Sequence, residues 1–329
     1  MTQIRQGLTF DDVLLIPKHS DLKSRSEVDM GVDLGKGIRL SMPIISANMK
    51  SVSEQRMADA MHGLGGLAIL HRFMDIKENV AMWRRCKHAG ASIGVKKEDL
   101  ERLEALTAAG CRIICVDVAH GDSDACVRMV EEVHKRHPEV LLIAGNVATA
   151  DGALRLHKAG ADVIKVGIGP GSLCTTRIET GHGVPQLTAL MDVHEARRSS
   201  GAKFTVIADG GIKAAGDIVK ALCFSEAVMI GNLLAGTEEA PGEIVAVNEQ
   251  RYKQYNGSST HKANHVEGVS TLVQYKGNAE HIITKLMEGV RSGCSYQGAH
   301  SILDLQKDPN FIMISHAGLA ESHPHVTRR

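Results

Sequence analysis

Eight short apolar runs, rich in Val and Ile, recur along the chain at nearly regular spacing. They occupy residues 43–46, 66–70, 91–95, 113–116, 141–144, 163–166, 204–207 and 227–230. Their first residues lie 23, 25, 22, 28, 22, 41 and 23 positions apart. Continuous apolar runs, unlike alternating ones, are typical of parallel strands that are buried on both faces. The pattern therefore predicts a parallel α/β architecture.

Stretches with helical periodicity separate several of these runs, at 54–64, 97–109, 122–137 and 150–159. Eight β-α units at a spacing of about 25 residues are the number that closes a (β/α)8 TIM barrel. A doubly wound sheet is the alternative, but it usually has fewer strands and a G-x-G-x-x-G motif after the first, which this chain lacks. We predict one barrel domain over residues 1–329.

Two insertions break the regular spacing, one over 167–186 after the sixth run and one over 237–277 after the eighth. In a TIM barrel both emerge at the C-terminal face, where active sites lie. Long loops at such a face usually carry function, so we expect a catalytic loop and a flap. Residues 315–329 are polar, and we expect a flexible tail there.

Charge and composition argue against several classes of partner. The 38 basic and 38 acidic side chains cancel, and 3% aromatic residues offer few stacking platforms, so we expect no nucleic-acid partner. No stretch approaches about 18 uninterrupted apolar residues, so no membrane-spanning helix is expected. The first residues lack the apolar segment of a signal peptide, which predicts a cytoplasmic protein. Seven cysteines without a CxxC pair favour neither a disulfide framework nor a zinc site.

Glycines follow the seventh and eighth runs directly, in the pairs Gly210-Gly211 and Gly231-Asn232. Their backbone N–H groups could approach an anion at the place where barrels often bind phosphate. Asp209, just before, could accept hydrogen bonds from a ribose. The alternative interpretation is ordinary turn glycines.

The loop after the sixth run begins with Gly, Pro and Ser residues and leads to Cys174 and Arg177. Such a backbone can wrap a small anion with its own dipoles. A cation and helix-start amides beside a cysteine favour the thiolate, which is the nucleophilic form. Cys174 is therefore a candidate nucleophile, and the alternative is a buried thiol. The other six cysteines lie in strand or helix patterns and are interpreted as small core residues.

Motifs along nearly the whole chain resemble one enzyme family. GPGSLCTTR at 169–177 and GHGVPQ at 181–186 are similar to the active loop shared by inosine monophosphate dehydrogenase and GMP reductase. The same superfamily is resembled by GLTFDDVLLIP at 7–17, SRSEVD at 24–29, ANM at 47–49, DVAHGDS at 117–123, AGNVAT at 144–149, ADGGI at 208–212 and AGTEEAPGE at 235–243.

Within this family the chain looks like the reductase branch. Dehydrogenases usually carry a pair of CBS modules after the second strand, but about 20 residues separate His71 from Ala91. Residues 257–265 lack the Arg-Tyr pair with which dehydrogenases activate water. ANM at 47–49, HRF at 71–73 and HVEG at 265–268 resemble the reductases. The resemblance implies reductive deamination of GMP to IMP and ammonia with NADPH, a step of purine interconversion.

Roles for individual residues follow from the resemblance. Cys174 would form a covalent thioimidate, with Thr176 and Glu267 supplying the proton for ammonia. The implied substrate-binding residues are Ser172, Asp209, Gly210, Gly211, Gly231, Asn232, Tyr255, Gly257 and Ser258. The implied cofactor-binding residues are Ser24, Arg25, Arg72, Asp117, Ala119, Asn146, Gly167 and Ile168.

Further properties are implied by the same resemblance. Ser24 and Arg25 would reach the cofactor of a neighbouring subunit in a homotetramer. Backbone carbonyls of Gly169, Gly171 and Cys174 resemble a monovalent-cation site, with K+ as the ion. Asn232 departs from the family pattern of Ser or Gly. Two alternatives stay open: a dehydrogenase without CBS modules, and a nucleotide-binding barrel that does not catalyse.

Overall fold

All eight apolar runs form parallel strands, and these strands pair in chain order until the eighth meets the first. The computed structural model describes residues 4–86, 88–257 and 270–324. The barrel strands are β1 (Ile44–Ser46), β2 (Leu67–Leu70), β3 (Gly90–Ile93), β4 (Ile113–Asp117), β5 (Leu141–Val147), β6 (Val163–Val166), β7 (Thr205–Asp209) and β8 (Ala227–Ile230). The predicted (β/α)8 TIM barrel is confirmed.

Helices separate the strands and surround the barrel. They are α1 (Gln55–Gly63), α2 (Ile76–Cys86), α3 (Lys97–Ala108), α4 (Asp124–Arg136), α5 (Ala150–Lys158), α6 (Thr176–Thr180), α7 (Gln186–Ser200), α8 (Ala215–Leu222), α9 (Ala279–Tyr296), α10 (Ile302–Leu305) and α11 (His316–Glu321). The four helices expected from periodicity agree with α1, α3, α4 and α5 to within two residues at each end. Both α3 and α5 are followed by a glycine with positive φ, Gly110 and Gly160, a conformation that ends helices.

The strands are buried on both faces, which explains their continuous apolar sequences. Every residue of β2, β3 and β8 is buried. Strand β6 is an exception to this apolar composition, because it contains Lys165, which is only 2% exposed. A lysine in a barrel interior requires charged partners, and these partners lie at the C-terminal face.

An antiparallel hairpin of Val32–Gly35 and Ile38–Leu40 covers the N-terminal end of the barrel. In its turn, the Lys36 ammonium donates to the carbonyl oxygens of Pro138, at 2.7 Å, and Val140, at 2.9 Å, just before β5. A second antiparallel pair joins Val13–Leu15 to Phe311–Met313. Two 3-10 helices, Phe10–Asp12 and Arg25–Glu27, complete the N-terminal segment.

The flap of residues 237–277 contains an antiparallel sheet that the sequence did not lead us to expect. Its strands are Val245–Val247, Gln250–Asn256 and Ser270–Gln274. Asn248 and Glu249 both have positive φ between the first two strands, as a two-residue hairpin turn requires. The middle strand alternates, with buried Lys253 and Tyr255 on one face. The one sequence signal for this sheet was a short alternation of side chains over Gln250–Asn256, inside an otherwise polar segment.

The C-terminal segment contains one short helix, α11, capped by the Ser315 hydroxyl. The flexibility expected for 315–329 stays a prediction, as does the division into barrel, loop and flap. Among the residues that the structure describes, no helix has both the length and the hydrophobicity to cross a bilayer.

Candidate active site

A cavity of about 330 Å³ opens at the C-terminal ends of the strands. A second cavity of about 260 Å³ adjoins it. Pro170, Gly171, Ser172, Gly210 and Tyr255 line both cavities. The loop after β6 and the flap therefore form the common wall of one continuous site at the face where TIM barrels bind their substrates.

Most residues singled out in the sequence meet at this site. The first cavity is lined by Arg72, Asp117, Ala119, Asn146, Gly167, Ile168, Gly169, Gly171, Ser172, Cys174, Thr176, Asp209, Gly210, Tyr255 and Gly257. Gly211, Gly231 and Asn232 line the second cavity. Ser24 and Arg25 line neither, and the Arg25 guanidinium instead donates to the Ser292 hydroxyl at 2.6 Å. Ser258 and Glu267 lie outside the described residues.

Cys174 differs from every other cysteine of the chain. It is partly exposed on the cavity wall, whereas the other six are buried. Its thiol donates to the Thr176 hydroxyl at 3.3 Å, and its backbone N–H donates to the Gly171 carbonyl at 3.1 Å. The sulfur is thus held beside a hydroxyl group that can also exchange protons.

Burial makes the other thiols poor nucleophiles. It raises the pKa of Cys86 to about 11 and that of Cys111 to about 12. Burial also raises the pKa of Cys126 to about 12 and that of Cys294 to about 11, and it raises the pKa of Cys115 and of Cys223. Because the thiolate is the reactive form, these six side chains act as core residues, as their sequence patterns indicate.

The shape of the loop after β6 depends on close backbone approaches. A β-carbon on Gly167, whose φ is +151°, would lie 2.0 Å from the carbonyl oxygen of Asp209. A β-carbon on Gly169 would lie 2.5 Å from the side chain of Arg177. Arg177 donates to the Val184 carbonyl at 2.7 Å. Arg177 therefore packs against the glycines of this loop. Its side chain donates to the backbone carbonyl of Val184 and not to Cys174.

Lys165 forms the floor of the cavity, and sequence reasoning did not place it in the site. Its ammonium contacts a carboxylate oxygen of Asp117 at 2.8 Å and one of Asp209 at 2.7 Å. The three residues come from β4, β6 and β7. A lysine in the middle of the run VIKV was the available signal, because an unpaired ammonium is not buried. We call Asp117, Lys165 and Asp209 the charged triad.

Lys165 and Asp117 each favour the charged form of the other. Burial alone would lower the pKa of Lys165, but the charges of Asp117 and Asp209 outweigh it and raise that pKa above its ordinary value. Burial alone would raise the pKa of Asp117, but Lys165 lowers it below its usual range. The shifts of both partners have the sign expected for a buried ion pair.

Asn146 connects the charged triad to the loop and keeps one acceptor free. Its amide nitrogen donates to the Gly167 carbonyl at 2.7 Å and to Asp209 at 2.9 Å. These two acceptors fix the orientation of the amide. The side-chain oxygen is buried at the cavity without a donor among the described residues. Since buried polar atoms are normally paired, this oxygen suits a ligand N–H, such as that of a carboxamide.

The second cavity has the features of a phosphate site. Gly210 and Gly211 have positive φ. A β-carbon on Gly231 would lie 3.1 Å from the Tyr255 hydroxyl oxygen. Burial raises the pKa of Tyr255, which stays protonated and shares a hydrogen bond with Ser172. The glycine backbone and these hydroxyls can donate to an anion there.

The described residues give little support for a cation site. Among the described residues, no three His, Cys, Asp or Glu side chains are grouped to bind a metal. The carbonyl of Gly171 accepts the Cys174 amide and keeps one lone pair. The K+ site at Gly169, Gly171 and Cys174 stays a prediction.

Residues 7–325 match the family model described as "IMP dehydrogenase / GMP reductase domain". The chain belongs to this family. It is an oxidoreductase family, and its match extends over the barrel, the loop after β6 and residues 237–277. The resemblance inferred from the motifs is therefore confirmed.

Relatives in the IMP dehydrogenase/GMP reductase family carry both names. An inosine-5′-monophosphate dehydrogenase from Nitrosopumilus maritimus is 32% identical and covers 98% of this chain and 99% of its own. A GMP reductase from Leishmania major is also 32% identical, over 97% of each chain. The crystal structure of a cysteine-to-alanine variant of Trypanosoma brucei GMP reductase in complex with guanosine 5′-monophosphate superimposes with a TM-score of 0.92, at 30% identity and 99% coverage of each chain.

The short connection after β2 does not separate the two branches of the family. The alignments run over 472 positions with the N. maritimus dehydrogenase and 478 with the L. major reductase, against 329 residues here. Relatives of both names therefore hold internal segments that this chain lacks. In this chain α2 occupies the connection, and the choice of branch depends on other residues.

Proposed function

We propose that this protein is a GMP reductase, which converts GMP, NADPH and a proton into IMP, NADP+ and ammonia. The observation that carries the proposal is Cys174, the one partly exposed cysteine, on the cavity wall 3.3 Å from the Thr176 hydroxyl. The absence of an Arg-Tyr pair from residues 257–265 favours the reductase over the dehydrogenase. The GMP complex of the T. brucei relative supports the choice of substrate.

The covalent step begins when the Cys174 thiolate adds to C2 of guanine, which is electron-poor. The C2–N bond then breaks, and the amino group leaves as ammonia after it has gained protons through Thr176 and Glu267. The product of this step is a thioimidate between Cys174 and the purine. After hydride reaches C2, the C–S bond breaks and the electron pair returns to sulfur. Dividing one difficult displacement into two steps is the advantage of covalent catalysis.

Substrate binding is divided between the two cavities. Ser172, Gly210, Gly211, Gly231 and Asn232 would bind the 5′-phosphate. Asp209, Tyr255, Gly257 and Ser258 would hold the ribose and base. The exposed Asn232 already uses its carbonyl to accept from Lys276, so it offers its side chain and backbone N–H.

The cofactor, when bound, supplies hydride to the purine. Asp117, Ala119, Asn146, Gly167 and Ile168 would hold its nicotinamide, with the free oxygen of Asn146 accepting the carboxamide N–H. Arg72, which contacts Phe73 with its guanidinium 4.9 Å from the ring centre, would lie beside it. Its Nε is buried without an acceptor among the described residues. Ser24 and Arg25 would act across a subunit boundary of a homotetramer, and K+ and a cytoplasmic location remain part of this proposal.

Two paired assays test the reaction. We expect purified protein to oxidise NADPH when GMP is added, with ammonia and IMP formed in equal amounts. We expect no reduction of NAD+ when IMP is added. The absorbance of the reduced nicotinamide measures both reactions. Turnover only with IMP and NAD+ would identify a dehydrogenase instead. Several relatives carry that name. GMP binding without turnover in either assay would identify a barrel that only binds nucleotides.

Exchanging Glu267 for glutamine is expected to slow ammonia release more than hydride transfer, because the variant loses the carboxyl group that carries the proton. A positioned acid typically contributes about 10²–10⁴-fold. Single-turnover measurements of ammonia and of NADPH oxidation separate the two steps. Glu249→Gln, in the hairpin turn of the flap, is the matched control. Equal rates for Glu267→Gln and the unaltered protein would remove Glu267 from the proton path.

A further inference from the structure

A third cavity, of about 430 Å³, lies at the N-terminal end of the barrel. The hairpin strand Ile38–Leu40 and the segments that lead into β2, β3 and β4 form its walls. It shares no residue with the two cavities of the candidate active site. Its size lies within the range of small-molecule sites.

Among the described residues, the lining of this cavity carries positive and protonatable groups and no acidic side chain. Arg39, Arg112, His62 and His88 line this cavity, together with Ser41. Arg39 contacts Asp29 at 3.4 Å, but both side chains are more than 60% exposed, and such pairs are weak. Arg112 is exposed and has no ion-pair partner among the described residues. The cavity therefore offers one guanidinium without a partner and a second one that is weakly held.

His62 and His88 stack face to face, with ring centres 3.8 Å apart and an angle of 10° between the planes. Ring nitrogens lie in the plane of an imidazole, so both rings present their N–H groups at the edges of the stack. Each imidazole carries at least one N–H donor whether it is neutral or charged. The stack is thus suited to donate to one anionic group.

Helix dipoles explain the presence of some, but not all, of the basic side chains in this cavity. The C-terminal ends of α1, α2 and α3 lie at the N-terminal end of the barrel, where their dipoles favour cations. His62 belongs to the last turn of α1, and His88 follows α2 by two residues. Arg39 lies on the hairpin and Arg112 directly precedes β4. The two arginines belong to strand segments, so helix ends do not explain their presence.

We propose that this cavity binds a phosphate-bearing small anion. Arg112 and Arg39 would contact the phosphate oxygens, because the planar guanidinium matches phosphate with paired N–H donors. His62, His88 and Ser41 would complete the set of donors. The cavity is larger than one phosphate group needs, and Trp83 gives it a flat apolar wall. The site is independent of the proposed reductase activity.

The protein contains its own reporter for this site. Trp83 is the only tryptophan of the chain and lines this cavity. Its indole N–H donates to the carbonyl of Ala89 at 2.8 Å, directly after His88. An anion that accepts a hydrogen bond from His88 should therefore change the fluorescence of Trp83. Binding at the opposite face of the barrel would not touch this ring.

We would titrate the full-length protein with pyrophosphate, ATP and adenosine in separate experiments at constant ionic strength. We expect a saturable change in Trp83 fluorescence with pyrophosphate and with ATP. Arg112→Gln should weaken both by about tenfold, the effect of losing one charge-assisted hydrogen bond. ATP affinity well above that of pyrophosphate would assign a nucleotide to the site, and equal affinities would assign the phosphate group alone.

Arg84→Gln is the matched control, since Arg84 is exposed on α2 and does not line the cavity. It removes the same charge and should leave both affinities unchanged. The proposal fails if pyrophosphate and ATP give no saturable signal, if Arg112→Gln retains full affinity, or if Arg84→Gln weakens binding equally. Saturation by adenosine alone would also contradict an anion site. None of these outcomes bears on the GMP assays.

Discussion

Replacing Cys174 with alanine is expected to abolish the reduction of GMP, while GMP binding stays within about tenfold of the unaltered protein. In the proposed mechanism the thiol forms and breaks the covalent bond to C2, and no other cysteine lines the cavity. The remaining six thiols are buried and protonated. Steady-state NADPH oxidation measures the first effect, and equilibrium binding of GMP measures the second.

The matched control for this experiment is Cys86→Ala. Cys86 is buried in α2, and burial raises the pKa of its thiol to about 11. The same chemical change at Cys86 should leave turnover near that of the unaltered protein. Alkylation gives a second measurement, because a thiol reagent should modify Cys174 first, and GMP should protect it. Turnover by Cys174→Ala would refute the thioimidate mechanism.

Replacing Lys165 with methionine is expected to lower the free energy of unfolding by about 3–5 kcal/mol, the usual cost of breaking a buried ion pair. Methionine fills a similar volume but leaves Asp117 and Asp209 facing each other without the ammonium 2.7–2.8 Å away. Turnover should fall as well, because Lys165 orients both carboxylates that line the cavity. Urea denaturation measures the stability, and the GMP assay measures the activity.

The same variant should acquire a pH dependence of stability. In the unaltered protein the pKa of Asp117 is lowered, so its contribution is present above about pH 4 and lost below. The pKa of Lys165 is raised, so its contribution is present below about pH 10 and lost above. Without the ammonium, burial raises the pKa of Asp117. The variant should therefore lose stability as the pH rises from about 4 towards neutrality, whereas the unaltered protein should not lose stability over that range.

Two further variants keep the role of Lys165 testable. Lys158→Met, at an exposed position on α5, removes the same charge and should change the free energy of unfolding little. Combining Lys165→Met with Asp117→Asn removes one of the two uncompensated carboxylates, so it should recover part of the lost stability and weaken the pH dependence. A Lys165→Met protein as stable as Lys158→Met at both pH 5 and pH 8 would show that the charged triad does not stabilise the fold.

The barrel was predictable because its strands are buried on both faces. That burial imposes continuous apolar runs, and eight of them at nearly constant spacing leave little choice of topology. The cavity was predictable for the same reason, since residues directly after parallel strands meet at one end of a barrel. Cys174, Asp209 and Gly211 were located from their positions relative to the strands alone.

Lys165 and the flap sheet were not predictable in the same way. The apolar residues on either side of Lys165 predict a strand there, but they do not show which carboxylates its ammonium contacts. That depends on how β4, β6 and β7 are arranged in the barrel. The flap strands are short, and most of their residues are exposed, so burial leaves a weak pattern in the sequence. Ser24 and Arg25 line neither cavity, and the role proposed for them concerns neighbouring subunits, which one chain does not contain.

Burial of six thiols has a consequence for how the protein responds to oxidants. Among the cysteines, an oxidant in solution reaches the sulfur of Cys174 alone, and the first product there would be its sulfenic acid. No second cysteine is exposed to close an internal disulfide with it. Recovery of an oxidised Cys174 would thus depend on a small thiol or a reducing protein supplied by the surroundings.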